Sequence, residues 1–169
     1  MKSFVYAAVA GLALATTAQA LQFKPACTDD SRECMIAAAK AYLDAITTHD
    51  AAKVPFHPNV RRTELGRVTG EGETKIREHT KLQPDMAGHA NTRYFVDEKT
   101  HNVVAYTLLR IPGTKADPNR TSLADRLPPQ PSTVHLAERF KVEKGLITEI
   151  EALFTIEGGK MDGTSNWPD

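Results

Sequence analysis

The chain begins with an apolar segment that carries no charge after Lys2. The run from Phe4 to Ala15 is almost wholly apolar, and residues 18–20 read Ala-Gln-Ala, the small-x-small pattern that signal peptidase recognises. At about 12 residues, the run is shorter than the roughly 20 that a membrane-spanning helix needs. The pattern predicts a cleaved signal peptide over residues 1–20 and export of the rest, to the extracellular space or the lumen of the secretory pathway.

Hydrophobic residues next recur at the spacing of an amphipathic helix. Asp30, with Glu33 three residues later, has the form of a capping box at a helix start. The apolar positions that follow share one helix face: Met35, Ile36, Ala39, Tyr42, Leu43 and Ile46. Lys40 and Asp44 fall on the other side, so the pattern predicts a helix over residues 31–49.

The middle of the chain is less regular. Residues 51–58 contain two prolines and favour no regular element. Residues 59–65 form a short strand candidate that ends at Gly66, and the charged segment 71–82 is typical of a surface helix. Residues 83–88 end that predicted helix.

The hydrophobic period changes to two in the second half of the chain. It predicts strands over residues 91–96, 103–111, 133–142 and 146–156, with Lys144-Gly145 as the tight turn between the last two. The order of predicted elements is a helix, a short strand, a second helix and then antiparallel strands. This order predicts an α+β fold with a curved antiparallel sheet wrapped around the helices. We expect one domain over residues 21–157 and a flexible polar tail over residues 158–169.

Charge and motifs exclude several classes of function. The chain has 21 Lys+Arg and 21 Asp+Glu, and removal of the signal peptide takes away only Lys2, which leaves a net charge of −1. Without a basic stripe, neither nucleic acid nor a membrane is an expected partner. The six histidines show no metal-ligand spacing, and no phosphate-binding glycine loop or dinucleotide motif is present. We therefore expect no metal site and no cofactor.

Two cysteines lie shortly after the predicted cleavage site. Cys27 and Cys34 are the only cysteines of the chain, and an oxidising compartment lets them form one bridge. Their spacing differs from the two-residue gap of redox motifs, so a structural disulfide is expected. The single sequon, Asn119-Arg120-Thr121, lies in a loop rich in Pro, Asp and Asn and predicts glycosylation at Asn119.

Five blocks of the sequence resemble the nuclear-transport-factor-2-like (NTF2-like), or SnoaL-like, cone-fold family. They are residues 41–50 (AYLDAITTHD), 54–64 (VPFHPNVRRTE), 93–98 (RYFVDE), 135–142 (HLAERFKV) and 145–151 (GLITEIE). The last two blocks resemble the closing hairpin of these proteins. The early blocks look like a secreted branch of the family that mostly lacks an assigned activity.

The resemblance implies a cone in which the sheet and the helices enclose a deep apolar cavity with a few polar groups. Members of the family include dehydratases, ketosteroid-type isomerases, cyclases, epoxide hydrolases and binding modules, so the resemblance implies the fold more strongly than the reaction. The implied partner is a small apolar molecule. A homodimer through the outer face of the sheet is a further family-based expectation.

The predicted turn at Lys144-Gly145 also predicts which residues of the last two strands share a face. An unbroken ladder counted from this turn places Glu138 directly opposite Glu151. Two carboxylates so placed have Cβ atoms about 5 Å apart, which raises one pKa and sets an acid beside a base. Glu138 and Glu151 are therefore the predicted catalytic pair.

A bulge or a slip of one residue would reverse that assignment. The face that carries Ile150 and Ala152 could equally be the core side. The glutamates would then lie in solvent or pair with Arg61, Arg62 or Arg139.

Further candidates share a polar side chain on a predicted strand. Those expected to contact a substrate are Arg61, Thr63, Glu64, Tyr94, Tyr106 and Glu149. His135 is a candidate base, with an exposed strand histidine as the favoured alternative.

Together these features predict a secreted, cofactor-independent isomerase or lyase that acts on a small apolar oxygenated metabolite. The alternatives are an epoxide hydrolase and a binding module of the same fold without catalysis.

Overall fold

The structure is a computed structural model that describes residues 27–113, 127 and 129–161. The predicted signal peptide and Asn119 lie outside the described residues. The described elements are helices α1 (Arg32–Thr48) and α2 (Glu73–Lys81) and strands β1 (Phe56–Glu64), β2 (Arg67–Glu71), β3 (Gly88–Asp97), β4 (Asn102–Ile111), β5 (Ser132–Glu143) and β6 (Leu146–Gly158).

The six described strands form one sheet in the order β2-β1-β6-β5-β4-β3. Neighbouring strands are antiparallel except β1 and β6, which run parallel. Helix α1 packs against β3 to β6, helix α2 packs against β1 and β2, and their buried residues join one core with the inner face of the sheet. This arrangement confirms the predicted α+β fold. Neither described helix has both the length and the apolar character needed to cross a bilayer.

Helix α1 begins with a different cap from the predicted one. Ser31 is the N-cap, and its hydroxyl accepts a hydrogen bond from the backbone N–H of Cys34 at 3.3 Å. Asp30 instead accepts a hydrogen bond from the backbone N–H of Lys144 at 2.5 Å, so the predicted capping box is wrong. Asp30 thereby ties the start of the helix to the turn between β5 and β6.

Strand β2 occupies a segment in which the sequence predicts no strand. Its five residues show no alternation of apolar and polar side chains, and Gly70 is the only one that is fully buried. A Cβ atom at Gly70 would lie 2.5 Å from Cδ1 of Ile76 on α2. The helix therefore packs directly on the strand at this glycine, and it begins at Glu73, two residues after the predicted start.

The turn between β5 and β6 forms as predicted, but the ladder beyond it does not stay regular. Lys144 and Gly145 both have positive φ, 52° and 75°, as a two-residue hairpin turn of this type requires. Val142 faces Ile147, as an unbroken ladder predicts. The register then shifts because Thr148 has no partner on β5.

This bulge makes the predicted Glu138–Glu151 pair wrong. Beyond the bulge, each β5 residue faces the β6 residue one position later than predicted, so Glu138 faces Ala152 and Arg139 faces Glu151. Because side chains alternate between the two faces, a shift of one residue moves the two glutamates to opposite sides of the sheet.

The predicted disulfide between Cys27 and Cys34 is present, with a Cα–Cα distance of 5.8 Å. It joins the segment before α1 to the first turn of the helix. The carbonyl of Cys27 also packs against Gly145 in the β5–β6 turn. The disulfide loop therefore holds the beginning of the domain against the end of the hairpin.

Replacing Gly145 by alanine should destabilise the protein more than replacing Gly66 by alanine. Both glycines are second in a two-residue turn and have similar φ, 75° and 78°, so each substitution costs about 1 kcal/mol in backbone strain. A Cβ atom at Gly145 would in addition collide with the Cys27 carbonyl, whereas nothing lies within 4 Å of one at Gly66. Urea unfolding measures both losses. Equal losses would contradict the packing of the disulfide loop on the turn.

Candidate active site

Five strands contribute one residue each to a row across the inner face of the sheet. From β1 to β3 the row is Glu64, Ala152, Glu138, Ala105 and Tyr94. Adjacent strands lie about 4.8 Å apart, so the backbones of the two glutamates are roughly 10 Å apart with only a methyl group between them. The two alanines place only methyl groups on either side of Glu138.

The guanidinium of Arg62 bridges the two acids of this row. Its Nη1 donates to Oε2 of Glu64 at 2.9 Å and to Oγ1 of Thr69 at 2.7 Å. Its Nε donates to the hydroxyl of Tyr42 at 3.0 Å, and its Nη2 lies 3.8 Å from Oε1 of Glu138. One buried cation is therefore held by side chains from α1, β1, β2 and β5.

Glu138 has the fewest partners in this cluster. Its side chain is 1% exposed, and among the described residues its Oε2 atom has no hydrogen-bond partner. Burial raises the pKa of Glu138 to about 7, against the effect of the Arg62 charge and with a contribution from the Glu64 charge. Its carboxyl group therefore gains and loses its proton near neutral pH.

The cluster combines a proton donor with a proton acceptor. Burial alone would lower the pKa of Arg62, but Tyr42, Glu138 and Glu64 raise it, so the guanidinium stays charged. Its Nη1 atom pairs with Oε2 of Glu64 at 2.9 Å. Glu138 keeps its proton up to about pH 7. A buried acid that keeps its proton, beside a second acid that is paired with a cation, is suited to general acid–base chemistry.

His79, on α2, lies at the edge of the cluster. Its Nε2 atom is 2.7 Å from Nε2 of Gln83. Burial and, to a smaller extent, the Arg62 charge lower the pKa of His79 to about 4, while the Glu64 charge opposes the change. The imidazole is therefore neutral near pH 7 and adds no second positive charge beside Arg62.

Glu149 and Glu151 lie on the opposite, outer face of the sheet, where Arg139 binds both. Its Nη2 donates to Oε2 of Glu149 at 2.9 Å, and its Nε donates to Oε2 of Glu151 at 3.0 Å. All three side chains are partly exposed. For these two glutamates, the structure has the pairing with Arg139 that the sequence left open as an alternative.

A groove of about 420 Å³ opens on the same outer face. Its lining includes Arg61, Thr63 and Glu149, and Arg61 forms an exposed ion pair with Glu71 at 3.3 Å. Water screens exposed ion pairs of this kind, so each contributes at most about 1 kcal/mol. We therefore place the candidate active site on the inner face, where the Glu138 carboxyl is removed from water, and not in the outer groove.

The remaining sequence candidates divide between the two faces. Tyr94 lies on the inner face, half-buried, and its pKa is raised by burial and by the charge of Asp44. Tyr106 lies on the outer face with 45% of its surface exposed. His135 is also on the outer face, 3.3 Å from the partly exposed carboxylate of Glu157. Of these three, only Tyr94 shares a face with Glu138.

Sequence reasoning did not place Arg62 and Tyr42 in the site. The sequence suggests Arg62 only as a partner for exposed glutamates, and the helical pattern assigns Tyr42 to the core. The alternation along β1 carries a usable signal, because a period of two puts Arg62 and Glu64 on one face and Arg61 on the other.

One group of side chains among the described residues has the spacing of metal ligands. It consists of Cys27, Asp29 and Cys34, whose candidate ligand atoms lie within 4.8 Å of one another. The two sulfur atoms are bonded to each other in the disulfide, which leaves Asp29 as the only free ligand of the three. This group therefore does not fit a resident metal ion.

Comparison with known sequences gives one family. Residues 28–154 match the family described as "Domain of unknown function (DUF8021)". No curated protein matches the chain in sequence.

Solved structures show which fold the domain has. SalBIII is described as an epoxide hydrolase/cyclase-like enzyme with a role in pyran ring formation in the polyether salinomycin. It is 14% identical with a TM-score of 0.60, over 76% of this chain and 98% of SalBIII. An NTF2-like protein of unknown function from Cytophaga hutchinsonii is 15% identical with a TM-score of 0.51, over 72% and 89% of the two chains.

A polyketide cyclase candidate from Silicibacter sp. TM1040 is 14% identical with a TM-score of 0.52, over 73% of this chain and 90% of that protein. At these identities the likeness concerns the fold, which is the NTF2-like, or SnoaL-like, cone. The fold family expected from the five sequence blocks is therefore confirmed.

Replacing Glu138 by glutamine should change how stability depends on pH. A buried acid whose folded pKa is raised from 4.5 to about 7 stabilises the native state below pH 4.5, and this stability is lost as the pH rises through about 7. The loss is on the order of 3 kcal/mol. His79, with its lowered pKa, changes stability in the opposite direction over a similar range, so the wild-type profile combines both effects.

The difference between wild type and Glu138→Gln isolates the glutamate from the histidine. The variant should gain stability relative to wild type between pH 4.5 and pH 7, as measured by urea unfolding. Glu151→Gln is the control variant, because it also removes one acidic side chain but does so on the outer face. A difference that stays constant across this range would show that Glu138 does not titrate as a buried acid.

Proposed function

This chain belongs to the DUF8021 family, and we propose that it is a cofactor-independent acid–base enzyme that opens the epoxide ring of a small apolar molecule. The observation that carries this proposal is the buried guanidinium of Arg62 between Glu64 and Glu138. Epoxide opening by acid–base catalysis needs a proton donor and a proton acceptor at the same time. Burial keeps the proton on Glu138, and Glu64, which pairs with Arg62 at 2.9 Å, is the proposed acceptor.

Each carboxyl group has a defined part in the proposed reaction. Glu138 gives its proton to the epoxide oxygen as the carbon–oxygen bond breaks. A water molecule, or a hydroxyl group of the substrate itself, forms the new bond to carbon and gives its proton to Glu64. The product is a diol in the first case and a cyclic ether in the second, and exchange with solvent returns the proton to Glu138.

Epoxide opening fits the site better than the isomerase or lyase chemistry favoured by the sequence. One carboxyl group is enough to carry a proton between two carbon atoms of a substrate, as in isomerisation. A second acid and a bridging Arg62 are needed when a nucleophile is deprotonated while a leaving oxygen is protonated. The structural likeness to SalBIII, an epoxide hydrolase/cyclase-like enzyme, supports the same chemistry at the level of the fold.

The surroundings of the acids favour an apolar substrate. Ala105 and Ala152 flank Glu138 and present only methyl groups. Partly buried apolar side chains pack on the same core and supply further apolar surface: Met86, Tyr94, Val96, Phe154 and Ile156. A small hydrophobic molecule placed over the alanines would exclude water from the reacting groups.

A binding module without catalysis is the second candidate, and burial of the charges favours it. Arg62, Glu64 and Glu138 are 5%, 4% and 1% exposed, so the cluster also serves as a satisfied polar core beneath a ligand site.

The enzyme and the binding module share one expected location. The apolar N-terminal segment and the Cys27–Cys34 disulfide support export through the secretory pathway.

Turnover of a panel of small apolar epoxides tests the enzyme proposal. Wild-type protein should form diols or cyclic ethers, and Glu138→Gln should reduce the rate by about 100-fold or more because the proton donor is lost. Glu151→Gln should leave the rate unchanged because that side chain lies on the other face. In water labelled with oxygen-18, a diol should carry one labelled oxygen atom.

The rate should also fall as the pH rises through about 7, because Glu138 then loses the proton that it donates. Full activity of Glu138→Gln would refute the proposed acid. If no epoxide reacts while the same compounds raise the melting temperature, the binding module is the correct function.

A further inference from the structure

A second chain of polar side chains lies near the other end of the inner row. Oδ1 of Asp44, on α1, is 3.0 Å from Nε2 of His89, on β3. Nδ1 of His89 is 3.1 Å from Oγ1 of Thr92, which is 2.7 Å from Oγ1 of Thr107 on β4. A carboxylate, an imidazole and a hydroxyl therefore follow one another within hydrogen-bond distance, in the order that activates a hydroxyl nucleophile.

A bulge in β3 brings Thr92 to the same side as His89. Residues three apart in a regular strand point to opposite faces of the sheet. Here the ladder shifts register within residues 90–93, so Asn91 and Thr92 together face Thr107. Asn91 has a φ of 53°, in the left-handed region that a non-glycine residue adopts at some cost. The irregular backbone thus creates the contact between imidazole and hydroxyl.

One arrangement of the hydroxyl and imidazole protons activates Thr92. The single hydroxyl proton of Thr107 can serve Thr92 at 2.7 Å or the carbonyl oxygen of Ala90 at 3.2 Å, and the shorter contact is the stronger one. Thr92 is then free to donate its own proton to Nδ1 of His89, while the Nε2–H group of His89 donates to Asp44. In this arrangement of protons, each donor of the chain points toward the carboxylate.

Asp44 is held in place for this role. Nζ of Lys40 donates to its Oδ2 atom at 2.6 Å, while His89 occupies Oδ1. Burial would raise the pKa of Asp44, but the hydrogen bonds from Lys40 and His89 lower it overall, so it remains a carboxylate. The side chain of His89 is 20% exposed, which lets small solutes reach the imidazole.

We propose that Thr92 is a nucleophile that accepts the acyl group of a small carboxylic ester, with His89 as general base and Asp44 as the residue that orients the imidazole. Oγ1 of Thr92 forms a bond to the ester carbonyl carbon and its proton moves to Nδ1 of His89. The bond to the alcohol oxygen breaks, and that oxygen takes the proton from His89. Water, deprotonated by His89, then cleaves the acyl-threonine into a free acid and Thr92.

This activity does not depend on the proposed epoxide chemistry. It uses side chains of α1 and β3, and its substrate is an ester. The outer face offers a matched control, because His135 also lies 3.3 Å from a carboxylate, that of Glu157. That pair tests whether an imidazole beside a carboxylate is sufficient without a hydroxyl held like that of Thr92.

The experiment incubates the full domain with p-nitrophenyl acetate and maps acetylated residues by peptide mass spectrometry. Acetyl should appear on Thr92 as a hydroxylamine-sensitive ester, with release of nitrophenolate. His89→Gln should slow acetylation of Thr92 by about 100-fold or more, in line with loss of a general base. Asp44→Asn should slow it as well, whereas His135→Gln should have no effect.

Two further variants keep the test decisive if one of these fails to fold. Thr92→Ser should retain the acetyl ester at position 92, since it keeps the hydroxyl, and Thr92→Val should lose it while circular dichroism shows a folded domain. The proposal is overturned if wild-type protein carries no acetyl on Thr92 and also releases nitrophenolate no faster than Thr92→Val. Acetylation of Thr92 at an undiminished rate in His89→Gln would overturn it equally.

Discussion

The buried guanidinium of Arg62 is the interaction on which the inner side of this domain depends. Transfer of a charge from water into a protein interior costs several kcal/mol unless nearby groups compensate for it. Here the compensating groups come from separate parts of the chain: Tyr42 on α1, Glu64 on β1, Thr69 on β2 and Glu138 on β5. The helix, the edge of the sheet and its centre must all be in place before the charge is satisfied.

Burial raises the pKa of Glu138, and the Glu64 charge adds to the rise, while the more distant Arg62 charge only partly opposes it. Glu64 meets Arg62 at 2.9 Å, whereas Glu138 lies at 3.8 Å and has no hydrogen-bond partner for Oε2 among the described residues. One ion pair neutralises the cation, so a second ionised carboxylate would leave excess negative charge in a medium of low polarity. Glu138 therefore retains a proton that a substrate can receive. The protonation of Glu138 therefore depends on how the fold buries this carboxyl group and places the other charges around it.

Hydrophobic periodicity predicts most of this fold because it reports burial directly. The apolar face of α1 and the spans of β4, β5 and β6 lie close to where the sequence predicts them, and the family resemblance agrees with them. Strand β2 is missed because its contact with α2 requires the absence of a side chain, at Gly70, which no hydrophobic pattern marks. The Arg62 cluster is missed because its members are separated by up to 96 positions in the chain (from Tyr42 to Glu138).

Both candidate sites owe their geometry to irregular backbone. The unpaired Thr148 shifts β6 by one position, which puts Glu138 inside beside Ala152 and leaves Glu151 outside with Arg139. The extra residue in β3 turns Thr92 toward His89. A period of two assumes an unbroken ladder, so it gives the wrong partner wherever a bulge intervenes. Both candidate sites of this domain therefore lie where the regular pattern fails, and a search for active residues in such a sheet should begin at its register shifts.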